Sequence, residues 1–87
     1  MSIEVKVEST PNPNAVKFTA NQQLFEGSTS LKKGAESDHP LASALLTIEG
    51  VDNIFGINDF VTVNKTVDAI WDELIPEVQK AFDKTYE

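Results

Sequence analysis

The sequence predicts an α+β fold: a two-layer sandwich in which a mainly antiparallel sheet carries two helices on one face. Three observations predict it. Apolar and polar residues alternate near the N-terminus on both sides of a proline-rich connector, the signature of two half-buried strands. A second pair of β-branched and aromatic runs, Val51–Ile57 and Phe60–Lys65, flanks Asn58-Asp59 as a hairpin would. Two further stretches, one after Pro40 and one at the C-terminal end, space their apolar residues as helices do. The order is β-β-(β)-α-β-β-α, which places both helices on one face of the sheet.

The first strand alternates Ile3, Val5 and Val7 with Glu4, Lys6 and Glu8. The connector Thr10-Pro11-Asn12-Pro13-Asn14 follows, its two prolines fixing φ and holding Thr10 and Asn12 near extended geometry. The cis or trans state of the two prolyl bonds is open at this point. Alternation resumes with Val16, Phe18 and Ala20 against Ala15, Lys17 and Thr19. Over residues 21–36 the periodicity fades, and Ser28–Lys32 reads as an edge strand or a loop. Ser37 or Asp38 is the expected N-cap of a short helix with Pro40 in its first turn. Leu41, Ala44, Leu45 and Ile48 form its apolar stripe, and Gly50 is expected at C′. After the second hairpin, Asp68 is the expected cap of a helix with an apolar face of Trp71, Leu74, Ile75, Val78 and Phe82, and Tyr86 one turn beyond. Pro76 inside it predicts a kink or a division into two helices.

Composition narrows the function. The 87 residues suffice for one domain, residues 1–87, with one core. Fourteen Asp and Glu face seven Lys and no Arg, giving net charge −7. Phosphate backbones are held by cationic side chains, so nucleic acid is not the expected partner. No polybasic patch, apolar span or signal-peptide h-region is seen, so no membrane is expected and a cytoplasmic location is. With no cysteine, the chain offers neither disulfides nor thiolate ligands, and its one histidine, His39, suits a cap beside a helix N-terminus.

The usual catalytic arrangements are missing. Gly27, Gly34, Gly50 and Gly56 are too scattered to cradle a phosphate, and Ser28, Thr29 and Ser30 have no neighbouring base. Asp72, Glu73 and Glu77 fall on a solvated helix face, and Trp71 belongs to the core stripe. The expectation is a chain that is not an enzyme, with no catalytic, metal or cofactor-binding residue of its own. Its candidate partner-binding residues are Asn12, Asn14, Lys17, Asp59 and Phe60. The proline-stiffened connector presents both asparagines in an ordered loop, which loses little entropy on binding. The same asparagines also suit bracing of the turn through its own backbone. Lys17 points away from Val16 and Phe18, Asp59 lies in the second turn, and Phe60 points away from Val61 and Val63.

Thr-Pro-Asn-Pro-Asn-Ala-Val-Lys-Phe, residues 10–18, closely resembles the opening motif of the N-terminal domain of NifU-like (Nfu) iron–sulfur scaffold proteins. The resemblance continues through Pro40-Leu41-Ala42, Ile48-Glu49-Gly50-Val51, Ile54-Phe55-Gly56 and residues 59–65. It extends to Trp71, Leu74-Ile75-Pro76 and Phe82, covering residues 9–83 in the family's order. It implies a role in iron–sulfur cluster assembly as an accessory or adaptor domain, with assembly proteins as partners. It also implies that clusters of the family sit on a separate C-terminal domain, on a Cys-x-x-Cys pair that has no counterpart here. No cluster ligand carries over to any position of this sequence. The alternative is a stand-alone protein- or peptide-binding module unrelated to cluster assembly.

Overall fold

A computed structural model describes residues 3–35 and 37–86. Five strands, β1 (Val5–Ser9), β2 (Ala15–Ala20), β3 (Ser28–Lys32), β4 (Val51–Ile57) and β5 (Phe60–Lys65), form one sheet in the order β1-β2-β5-β4-β3. Every neighbouring pair is antiparallel. The segment that the periodicity left open between strand and loop is thus the edge strand β3, paired only with β4. Its short, serine-rich, half-polar run suits an edge. Helices α1 (Pro40–Leu46) and α2 (Trp71–Thr85) complete the α+β architecture.

Both helices cover the face that carries Val16, Phe18, Ala20, Ile54, Val61 and Val63. Leu41, Ala42, Leu45 and Leu46 of α1 and Leu74, Val78 and Phe82 of α2 supply the opposing layer. The rings of Phe18 and Phe82 lie 6.2 Å apart between centroids and tie the sheet to α2. Leu24 and Phe25 join this core although they lie in a polar stretch. Phe25 fits because Gly56 has no Cβ: one built there would lie 2.7 Å from Phe25 Cδ2. On its other side the ring stacks on His39 at 4.5 Å.

Several local expectations are corrected. The N-cap of α1 is His39, not Ser37 or Asp38: its Nδ1 accepts from the Ala42 amide at 3.3 Å, and Pro40 takes the first helical position. The ring's Nε2 is therefore the protonated nitrogen and donates to the Leu24 carbonyl at 2.7 Å. That second bond, to a carbonyl distant in sequence, explains why the imidazole takes the cap. Helix α1 ends at Leu46 with Thr47 as its C-cap, so Gly50 is not its C′ residue. Gly50 instead makes the turn into β4 at φ +100. Asp68 does not cap α2; Ile70 stands at that position without a side-chain bond, and Asp68 accepts from the Thr66 hydroxyl at 2.7 Å instead. Asp72 and Glu73 in the first turn and Lys84 in the last complement the helix dipole. Neither a break nor a second helix occurs at Pro76; α2 runs through it as one helix. Trp71 is half-buried rather than sealed in the core.

Candidate protein-contact surface

Among the described residues, no helix lies on the sheet's other face. Strand alternation places on it Lys6 and Glu8 of β1, Lys17 and Thr19 of β2, and Phe60, Thr62 and Asn64 of β5. Asn53, Phe55 and Ile57 of β4 and Ser28, Ser30 and Lys32 of β3 complete it. Phe55 is 40 % exposed, and neither it nor Phe60 nor Ile57 belongs to the core. Phe60 pairs with Ile57 and Phe55 with Thr62, so the two phenylalanines are diagonal neighbours on the middle strands, towards the β4–β5 turn end of the face. Lys17 lies over the Phe60 ring with its ammonium 4.4 Å from the centroid and reaches Glu8 at 4.0 Å. The cation–π contact holds the lysine stem along the ring and leaves the charge at the surface. Thr19, directly opposite Phe60, has a buried hydroxyl that makes no hydrogen bond among the described residues.

Of the five residues singled out in the sequence, the structure brings Lys17 and Phe60 into contact. Asp59 stands at the end of the same strand, its side chain exposed and its carbonyl accepting from the Ala20 amide at 2.7 Å. Asn58 beside it, at φ 53, accepts from the amides of Leu24 and Phe25 and so holds the turn against the 20–25 segment. Asn12 and Asn14 lie elsewhere. β2 pairs Ala15 with Asn64 and Thr19 with Phe60, so the connector is at the opposite end of the β2–β5 ladder, about 17 Å away at strand rise.

There the connector is knitted into the fold. Asn12 Oδ1 accepts from the Asn14 amide at 2.9 Å, and the Thr10 hydroxyl accepts from the Asn12 amide and donates to the Ala15 carbonyl. Lys65 donates its ammonium to Asn14 Oδ1 at 3.1 Å and its amide to the Asn14 carbonyl at 2.8 Å. Trp71 Nε1 donates to the Pro13 carbonyl at 3.0 Å, fastening the start of α2 to the same loop. These bonds give both asparagine oxygens structural work. Phe55 was missed in the sequence, although the parity that singles out Phe60 also sets Phe55 and Ile57 apart from Ile54 and Gly56.

A second surface feature is an open groove beside the N-terminal part of α2, lined by Lys33, Glu49, Asp68, Glu73 and Glu77. Val67 and Ile70, 86 % and 56 % exposed, stand nearby. The Thr66 hydroxyl first, then a backbone amide, hold the Asp68 carboxyl below its ordinary pKa; desolvation opposes them, and the charge of Lys65 adds the least. Among the described residues no group of three or more His, Cys, Asp or Glu is placed to hold a metal ion. No helix there is long and apolar enough to cross a membrane.

The donor set does not fit an iron–sulfur cluster, whose irons are held chiefly by cysteine thiolates, since the chain has no cysteine. The comparisons nevertheless point to proteins named for that chemistry. A NifU-like protein of Schizosaccharomyces pombe is 40 % identical over 81 residues, covering 88 % of this chain and 31 % of the relative. The mitochondrial NifU-like protein 5 of Arabidopsis thaliana is 37 % identical over 76 residues, covering 85 % of this chain and 28 % of the relative. Conserved virulence factor C of Staphylococcus aureus is 32 % identical over 82 residues, covering 90 % and 21 %. The chain thus spans about a third or less of these curated relatives. The solution structure of a NifU-like protein from Saccharomyces cerevisiae superposes with TM-score 0.79 at 30 % identity, over 95 % of this chain and 77 % of that one. A crystal structure of a Staphylococcus aureus protein does so with TM-score 0.79 at 32 % identity, over 94 % and 99 %. The family model for the N-terminal part of the scaffold protein Nfu/NifU matches residues 5–87, and the chain belongs to that family.

Proposed function

We propose that this chain is an accessory, adaptor-type domain of iron–sulfur cluster assembly that acts by contacting assembly proteins and holds no cluster itself. The observation that carries this reading is the uncovered sheet face. It leaves Phe55 exposed and Phe60 half-buried under the Lys17 ammonium, in a chain that lacks any thiolate. Aromatic side chains among polar groups are the usual make-up of a protein contact, and an apolar cluster of this kind has no role in the core on the far side of the sheet. Membership of the Nfu/NifU N-terminal family supplies the process, and the missing nucleophile–base pairs support a non-catalytic role. A cytoplasmic location is part of the same reading.

Depletion of the protein in its source cells tests it. The activities of iron–sulfur enzymes should fall while their polypeptide levels and the activities of cluster-free enzymes hold. An equal fall in both classes, or in neither, would overturn the proposal.

A further inference from the structure

We infer that the free edge of β1 is a self-association site, where a second copy of this chain adds its own β1, antiparallel and centred on Val7, to extend the sheet. The inference goes beyond the adaptor reading and does not depend on it.

β1 lies at one edge of the sheet and pairs only with β2 among the described residues. The bonds around it fix which of its backbone groups point outwards. One step beyond the Val5–Ala20 pair, the Asn21 amide donates to the Glu4 carbonyl at 3.1 Å, and the Glu4 amide reaches back to Asn21 Oδ1 at 3.3 Å. Bonded pairs alternate along an antiparallel ladder, so Glu4, Lys6 and Glu8 turn their amides and carbonyls towards β2, and Val5, Val7 and Ser9 turn theirs outwards. The far side of β2 agrees: the Ala20 amide bonds to the Asp59 carbonyl and the Asn14 carbonyl to the Lys65 amide, which leaves Lys17 and Thr19 to face β1. The apolar layer also stops short at this edge. Phe18 of β2 is fully buried, whereas Val7 across from it is 37 % exposed. A second β1 centred on Val7 satisfies both. Val7 exchanges its two outward bonds with Val7 of the second copy, Val5 exchanges its own with Ser9, and the two Val7 side chains cover each other. The same register sets Lys6 opposite Glu8 of the second copy, twice over, at the close non-bonded positions of the uncovered face. Lys6 makes no ion pair among the described residues, and Lys17 meets Glu8 from the other side, so the charges alternate across the joint as Lys17, Glu8, Lys6. Glu4 falls opposite Thr10, outside the strand. The register is selected. A slide of two residues opposes Lys6 to Lys6 or Glu8 to Glu8, a slide of one sets outward groups against inward ones, and a longer slide leaves most of the strand unpaired. The other edge has no such match: centred on Ser30, β3 sets Lys32 against Ser28. Joining β1 to β3 would leave a free edge at each end and build an open filament, whereas β1 on β1 closes with two-fold symmetry.

Sedimentation equilibrium between micromolar and millimolar protein tests this, with amide hydrogen exchange measured at both ends of that range. Salt of about 0.15 M screens the repulsion between two chains of net charge −7 beyond about 8 Å. The parent should show a monomer–dimer equilibrium and no larger species. The amides of Val5, Val7 and Ser9 should gain protection as the dimer fills, while those of Lys6 and Glu8, already turned to β2, should change little. Lys6→Glu and Glu8→Lys each create two like-charge pairs, so each should weaken the dimer by about tenfold or more with the fold intact by thermal melt. Mixed in equal amounts, the two variants should dimerise again, because every pair across the joint then joins opposite charges. A merely weakened edge would not recover in this way. Five results would each overturn the inference: a monomer throughout, a dimer indifferent to Lys6→Glu, no recovery on mixing, growth beyond the dimer, or protection gained along β3 or at Phe55 and Phe60 in place of β1.

Discussion

Replacing Gly56 with alanine adds one methyl group at the tightest point of the core. In a strand with ordinary φ, alanine should gain about 0.5–1 kcal/mol over glycine, so propensity alone predicts a more stable protein. The structure predicts the reverse. The new Cβ would lie 2.5 Å from Phe25 Cζ and 2.7 Å from Cδ2, where carbon atoms need about 3.5–4.0 Å. The ring has to move by about 1 Å, and it has nowhere to go. Its opposite face stacks on His39, which is fixed by bonds to the Leu24 carbonyl and the Ala42 amide. Overpacking of this kind costs about 1–3 kcal/mol, and the rigid backing puts Gly56→Ala near the upper end. For a domain this size a loss of about 3 kcal/mol lowers the melting temperature by roughly 12–24 °C. Urea denaturation and thermal melts measure it directly. Phe25→Leu in the same chain should recover part of the loss, so the double variant should be more stable than the sum of the singles predicts. A Gly56→Ala protein as stable as the parent, or strict additivity with Phe25→Leu, would refute the packing argument.

Three further outcomes follow from other contacts. Trp71→Phe keeps most of the half-buried ring but removes the donor to the Pro13 carbonyl, so it should cost about 1 kcal/mol, with the largest amide-exchange increase in residues 10–14. An exchange pattern unchanged in that loop would show that the bond does not hold it. The Asp68 carboxyl should titrate below the ordinary aspartate range and return towards it in Thr66→Val. Because its pKa is depressed on folding, whatever it adds to stability is present at neutral pH and is lost as pH falls through that lowered value. An Asp68 midpoint that ignores Thr66→Val would contradict this assignment. Purified protein supplied anaerobically with iron and sulfide should stay colourless, whereas a stable stoichiometric chromophore on the monomer would contradict the absence of cluster ligands.

The parts of the fold readable in the sequence are those that depend on local period. Alternation over Val5–Ser9 and Ala15–Ala20 marks the first hairpin, and the spacing of Leu74, Val78 and Phe82 marks the buried stripe of α2. Leu24 and Phe25 were not readable as core because what buries them is remote: the missing Cβ of Gly56 and the ring of His39. The cap of α1 was misplaced for the same reason, since His39 is chosen by its bond to the Leu24 carbonyl as much as by its neighbours in sequence. For the candidate surface, parity alone shows that Lys17 and Phe60 share a face. That they touch depends on the β2–β5 register, and that same register carries the Asn12 and Asn14 connector to the far end. Trp71 and Lys65, which fasten the connector, come from elements that only folding brings to it.

The central claim, an adaptor for iron–sulfur assembly working through its uncovered sheet face, is tested most directly by quantitative affinity capture from source cells. Captures with the parent chain and with Phe60→Ser, a substitution outside the core, are compared. Assembly proteins of iron–sulfur clusters should be enriched with the parent and lost with Phe60→Ser at equal bait level, with the variant still fully folded at the capture temperature. Capture of no such protein by the parent, or its undiminished capture by the folded variant, would contradict the claim.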